Sequence, residues 1–375
     1  MKTMIKFPLP VAPENDCING RQIAFFAAFI LPIYKLLELP SILSHFTGGD
    51  LLLPAVLQYV FQTGILLALL FVVSRLDKPL FAYLEERIGK WTVLLYALYV
   101  LYFLFAAILP LLDLDKFVYA VFYDTAPTFF SFLFFFFISA YVCARGIKTL
   151  GRIADLSLFL FLIPFTALIV MSLAEADASN LLPIFQHRLE HTVSAFTYTA
   201  PHFSDAILLL PLLGNLKYKK GDSKKIALGY GVGGVCVLLF LGVFYGVYST
   251  IAAREHYAFA KIAQYFPALT VIGRIDLLFV YLLCIVLFVF VATPLHYATD
   301  FTTRLCGGKR RVWFAAAFNL AALIFTLFFN QHYNAIYALF GQYLFPVFWI
   351  FADLFPLALL LLVWKKKKKE KKVYA

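Results

Sequence analysis

Lys35 and Glu38 stand three residues apart between Pro32 and Pro40, inside an otherwise apolar stretch running from about residue 22 to 47. Built as a helix at ~1.5 Å per residue, that stretch places Lys35 roughly 20 Å from either end, beyond the reach of its own stem to water. An ammonium at such depth costs about 2.5–3.5 kcal/mol on insertion scales, so it faces a ligand, a pathway or a partner charge. The i,i+3 spacing puts Lys35 and Glu38 on one helix face, where they can neutralise each other. Alternatively both line a cavity, and the break between the prolines frees backbone groups to contact a zwitterion. His202 precedes Asp205 by the same three residues in a second proline-interrupted stretch. An acid there can bind an amino group or carry a proton, or it can cap the helix that restarts after Pro201. Three further residues are candidates for a gate or proton path. Asp155 lies beside Arg152, with an interfacial ion pair as the plainer account. His296, with Asp300 behind it, ends an apolar stretch, and Asp353 lies deeper, with Gln342 and Tyr343 as candidate bonding partners. Asp276 is expected to pair with Arg274 at a boundary.

The elements that must position these groups follow from composition. Of 375 residues, 63% are hydrophobic, 18% aromatic and only 14% charged, more apolar surface than a water-soluble chain of this size can bury. Ten stretches are long and apolar enough to cross a bilayer core of ~30 Å, at about 22–47, 51–74, 91–112, 127–144, 153–174, 198–216, 226–252, 274–299, 312–330 and 337–364. In hydrocarbon each must be helical to satisfy its own backbone. Assigning alternate connections to opposite sides leaves only Lys116, Arg188, Arg254, Lys261 and Arg274 on one side, with every other Lys and Arg except Lys35 on the other. This bias predicts cytoplasmic termini. The net charge of +11 is therefore a topology signal, and no nucleic-acid module accompanies it. The Lys365–Lys372 tail is expected to anchor the last helix on anionic lipid. No removable signal peptide is read in the first twenty residues.

The expected fold is an all-α polytopic membrane protein of ten transmembrane helices, a 5+5 inverted repeat in which helices 1 and 6 are broken. A cytoplasmic segment occupies residues 1–20. The transmembrane domain covers 21–364, with repeats at about 21–174 and 198–364, and residues 365–375 form the tail. Residues 76–90 suit an amphipathic helix at the cytoplasmic face, and 175–197 and 253–273 suit outer helices or lids. Gly229, Gly233, Gly242 and Gly246 lie in an apolar span and are read as close helix packing, not as a dinucleotide loop. The five cysteines are scattered and read as packing residues. His187, Glu190 and His191 have metal-like spacing without a further ligand, so neither a metal nor a cofactor is expected. With no nucleophile–base constellation, enzyme activity is not expected either.

Several ordered pieces carry a family resemblance. They are Leu39-Pro40 with Gly48/Gly49-Asp50; Ala144-Arg145-Gly146-Ile147; Arg152-Ile153-Ala154-Asp155; Pro164; Ser179-Asn180-Leu181-Leu182-Pro183; Phe203-Ser204-Asp205; and Gly273-Arg274-Ile275-Asp276. Together they resemble the B subunits of bacterial spore germinant receptors, the GerAB-type spore germination permeases of the amino acid–polyamine–organocation superfamily. The resemblance implies the fold of sodium-coupled amino acid transporters. It also implies a place in the bacterial cell membrane or spore inner membrane, A-type and C-type receptor subunits as partners, and a small germinant, typically an amino acid, as ligand. The implied ligand contacts are Pro32, Tyr34, Lys35, Glu38, His202, Phe203, Ser204 and Asp205. Where that family carries Gly-x-Gly in the first span, this sequence has Ile33-Tyr34-Lys35. Lys35 thus marks either a change in what is bound or a site locked by its own bridge to Glu38. The alternative functions are a proton-coupled secondary transporter of amino acids or organic cations, and a scaffold with a vestigial site.

Overall fold

A computed structural model describes residues 17–122, 128–182, 185, 188–265 and 275–359. The expectations for the first sixteen residues, the lysine tail, His187 and Arg274 fall outside them. The described residues are almost entirely helical, and six helical stretches among them are long and apolar enough to cross a membrane: Leu39–Val73, Leu80–Phe122, Ile147–Leu173, Asp222–Arg254, Asp276–Leu305 and Arg311–Gln342. Shorter apolar helices occupy Leu133–Arg145, Ala200–Gly214 and Phe345–Leu359.

The first span is interrupted where its prolines suggest. Helix α1 (Gly20–Phe25) runs through a π-helical turn (Phe26–Ile30) into α2 (Leu31–Lys35), and the chain restarts as α3 (Leu39–Thr47). A break in hydrocarbon is tolerated only if its carbonyls and amides find partners. Here the Leu36 and Leu37 carbonyls accept from the Phe259 and Ala258 amides at 3.2 and 2.8 Å, the first N–H groups of α13 (Ala258–Tyr265). The orphan carbonyls of one helix end thus meet the orphan amides of another.

Next come α4 (Leu52–Val73) and the short α5 (Leu80–Ile88), which falls within the amphipathic segment read at 76–90. The third span comprises α6 (Thr92–Ala106) and α7 (Ile108–Phe122), ten residues longer than its apolar run to 112 predicts, because Asp113 and Asp115 are buried within α7 and do not end it. Helices α8 (Thr128–Arg145) and α9 (Ile147–Leu173) follow. Residues 175–197 are not wholly an outer lid. Their last part forms α10 (Leu189–Tyr198), which leads into the second break at Thr199–Ser204, and α11 (Asp205–Gly214) resumes beyond it. The sixth span therefore begins before residue 198, and its first half was hidden by Glu190 and His191. Two glutamines one turn apart on α4 serve this break. Gln58 Nε2 donates to the Phe196 carbonyl at 2.7 Å, and the Ala206 amide donates to Gln62 Oε1 at 3.1 Å.

The remaining helices are α12 (Asp222–Tyr248), α14 (Ile275–Leu305), α15 (Arg311–Phe329), α16 (Tyr333–Gln342) and α17 (Phe345–Phe348), the last continuing into a π-helical turn (Trp349–Leu354). The start of the first span packs between α9 and α12, while α14 packs on α6, α8 and α9. Backbones approach closely where glycine lets them: a Cβ on Gly229 would run into the Ala24 carbonyl, and one on Gly233 would lie 2.6 Å from Ala27 O. Both obstacles are backbone atoms and cannot rotate away.

Gly229→Val is expected to destabilise the fold by about 1–3 kcal/mol or more through overpacking, seen as a lower midpoint of thermal unfolding in detergent. Gly231→Val, at an exposed position with nothing within 4 Å of its Cβ, serves as the control. Equal midpoints for the two variants would remove the close-packing account.

Candidate functional site

The two breaks meet at an ion pair. Lys35, in the last turn of α2, places Nζ 2.6 Å from Oδ1 of Asp205, the first residue of α11, and each side chain is only 2% exposed. Both positions suit helix dipoles, with the cation at a C-terminus and the anion at an N-terminus. The Tyr230 hydroxyl donates to Asp205 Oδ2 at 2.8 Å, and the ammonium lies 5.2 and 5.7 Å from the Phe203 and Tyr59 ring centroids. A charge that is expensive in hydrocarbon is thereby paired, hydrogen-bonded and faced by aromatic rings. The i,i+3 pairing of Lys35 with Glu38 does not form, because the chain leaves the helix between them and turns Glu38 away. Glu38 meets His256 Nδ1 instead, at 3.0 Å through Oε2. That contact raises the His256 pKa above its ordinary value, the hydrogen bond to Glu38 being the main cause.

Around the pair, Tyr34 stacks on His202 and on Phe290, with centroids 5.0 Å apart in each case, and donates to Asp113 Oδ2 at 2.6 Å. Tyr333 donates to the other oxygen of Asp113 at 2.8 Å. His202 is buried and neither ring nitrogen has a hydrogen-bond partner among the described residues. Pro32, Tyr34, Lys35, His202, Phe203, Ser204 and Asp205 are all buried at or beside the breaks. Glu38 is buried too, but at the wall of a cavity of about 510 Å³ between α3, α10 and α16.

The gate candidates separate. Asp353 belongs beside the site: its Oδ1 accepts from Gln62 Nε2 at 2.7 Å, so it bonds to α4 and not to Gln342 or Tyr343, which is 71% exposed. Asp155 is remote from the pair and bonds to Arg21 at 3.2 Å and Gln22 at 3.1 Å; the start of the first span supplies its partners, not Arg152. His296 joins a charged cluster around the last turns of α14, with Nε2 3.4 Å from Arg311. There Asp300 holds Arg304 at 3.1 Å and Arg311 at 2.9 Å. Arg304 also bonds Asn215 and lies 3.7 Å from Glu85, which accepts from the Tyr96 hydroxyl at 2.6 Å. Phe81 lies under Gly214, where a Cβ would strike its ring. This cluster ties α5, the end of α11, α14 and α15 together. Asp113, Tyr230, Gln62 and Arg304 were missed by reasoning from the sequence; the two glutamines one turn apart in an apolar span were a readable signal.

Breaking the buried pair from one side should be costly. Lys35→Met or Asp205→Asn alone is expected to lower stability by about 3–5 kcal/mol, because each strands a buried polar partner. The double variant should cost clearly less than the sum of the singles. A double-mutant cycle on unfolding in detergent reads this coupling, and strict additivity would show that the two charges do not depend on each other.

The chain is similar to known proteins over most of its length. A curated relative, spore germination protein KB of Bacillus subtilis (strain 168), is 26% identical over 302 residues, spanning 77% of this chain and 80% of that protein. The fold matches crystal structures of two mutant forms of the Eremococcus coleocola manganese transporter. Their TM-scores are 0.56 and 0.57 at 15% and 14% identity, covering 91% and 94% of this chain and 77% and 81% of theirs. The family model described as Spore germination protein matches residues 55–334. With its apolar spanning helices, the chain is an integral membrane protein belonging to the spore germination protein family.

Proposed function

We propose that the chain is the germinant-sensing subunit of a spore germination receptor, a non-enzymatic protein that binds a small germinant, an amino acid in the first instance, where broken helices 1 and 6 meet. In this reading the fold is a ten-helix 5+5 inverted repeat of the LeuT type, in the spore inner membrane, with both termini and the Arg304 cluster on the core side and the Glu38 cavity facing outward. Binding shifts an open–closed equilibrium that is passed to A-type and C-type subunits. The observation that carries the reading is the pairing of the two breaks through Lys35 and Asp205, with a cavity of about 510 Å³ lined by Glu38 beside the first break. Binding energy realised at such a junction differs between the two states, which is the requirement for a sensor.

A second reading, a proton-coupled secondary transporter of amino acids or organic cations, draws support from the fold shared with a transporter and from the two unpaired nitrogens of buried His202. Reconstituted vesicles discriminate. Saturable binding of an amino acid from a panel, weakened by Asp205→Asn and without accumulation inside, is the expected result. Accumulation driven by a pH gradient would replace the sensor with the transporter. An absence of binding across the panel by the intact receptor assembly would leave only a scaffold.

A further inference from the structure

The cavity beside the first break has a chemistry of its own. Its one carboxylate is Glu38, whose side chain is 5% exposed; His45 and His256 also line it, and neither Lys nor Arg does. Four aromatic residues complete the wall, and their rings follow one another in an arc. Phe46 and Tyr198 have centroids 5.2 Å apart, Tyr198 and Tyr337 6.3 Å, and Tyr337 and Tyr333 5.6 Å. The arc draws on three elements, α3, α10 and α16, so it exists only in the assembled fold. Tyr333 is held in place by its bond to Asp113, which sets a second carboxylate behind the ring. Lys35, the cation that a ligand carboxylate would seek, is not in the lining and is already bonded to Asp205.

We propose that this cavity recognises the ammonium group of an organic cation or zwitterion, held by the Glu38 carboxylate within the arc of Phe46, Tyr198, Tyr337 and Tyr333, with the His256 ring as the occupant it displaces. The proposal rests on the reading that a small ligand is bound at the broken helices and adds the class of group taken beside the first break. A carboxylate facing ring π-clouds is a general solution for binding ammonium ions, because both attract positive charge and the rings demand no hydrogen bonds. His256 fits the part of a displaceable occupant. It sits on an exposed connection, its side chain is 68% exposed, and its bond to Glu38 is the one ionic contact of that carboxylate among the described residues. Displacement would also free the connection whose next amides cap the Leu36 and Leu37 carbonyls, linking occupancy to the first break.

The charged and titratable neighbours set the pH dependence. His256 faces Glu38 across the cavity wall. Arg254 and Glu255 precede it in the chain, and Glu255 pairs with Lys261 of α13 at 3.1 Å. His45 of α3 lines the same cavity, and α7 contributes only Ala120 and Val121 to the neighbouring pocket that His256 also lines. Protonated His256 competes for Glu38, so ammonium binding should tighten as pH rises through the His256 pKa and level off above it.

Calorimetric titration of the detergent-solubilised chain with tetramethylammonium chloride, at constant ionic strength, tests this. Millimolar or tighter binding is expected, weakened about tenfold or more by Glu38→Gln and by Tyr337→Leu but retained in Tyr337→Phe, whose ring persists. The pH dependence should flatten in His256→Gln, and sodium acetate should not bind. Absence of tetramethylammonium binding, or binding indifferent to Glu38→Gln and Tyr337→Leu in folded protein, overturns the proposal. If an amino acid binds and Asp205→Asn abolishes it while tetramethylammonium does not bind, the sensor reading survives and the ammonium site falls. If tetramethylammonium binds through Glu38 while no amino acid binds to the intact receptor assembly, the site stands and the sensor reading falls.

Discussion

One buried charge organises the centre of this molecule. The Lys35 ammonium lies at a depth where it cannot reach water, so an anion had to be placed against it, and Asp205 arrives from the other half of the chain to do so. Two consequences follow from that single requirement. The first and sixth spans must stop being continuous helices at the same level, since the pair sits at a helix end on each side. Their loosened backbone must then be satisfied by neighbours, which is the work of the α13 amides at one break and of Gln58 and Gln62 at the other. Tyr230, Tyr59 and Phe203 complete the surroundings and exclude water.

The two breaks share a plan with opposite settings. Each restarts on an acid, Glu38 ahead of α3 and Asp205 at the head of α11, and each acid is met by a basic side chain from elsewhere in the chain. At the sixth span the pair is dry and enclosed. At the first it has a buried acid but an exposed imidazole, so one partner is free to leave at little cost in desolvation. The deep pair is suited to hold the scaffold together, whereas the shallow one is suited to exchange. Away from both breaks, the Asp300, Arg304, Arg311 and Glu85 cluster ties α5, α14 and α15 to one another.

Much of this was legible before any coordinates. The cost of Lys35, the prolines around it, and the acid beside Pro201 marked both breaks, and Gly229 and Gly233 marked a close helix contact. What the sequence did not disclose was pairing. Lys35 and Glu38 are neighbours on an ideal helix, but the helix ends between them, so the local rule no longer applied. Asp353 and Asp155 were assigned partners nearby in sequence and took partners from α4 and from the start of the first span, because in a bundle of long helices the nearest polar group is usually on another helix. Asp113 was placed in a connection because the apolar run ends there, although two tyrosine hydroxyls allow the helix to continue through it. Periodicity shows where a helix can form; it carries no information about which side chain waits across the interface.

The glycine contacts of α12 have a mechanical corollary. The beginning of the first span is clamped to α12 backbone against backbone, and Tyr198 of α10 is seated on Gly341 of α16 where any larger residue would collide. Between these clamps α3 is a nine-residue helix packed on α10, α12 and the Ser249–Arg254 turn, bounded by the break at Leu36–Glu38 and by Gly48, whose φ is +49°. A helix fixed along its sides can be displaced only by rotation at its non-helical ends, so Leu36–Glu38 and Gly48 are the two places where the backbone would take up any shift of α3.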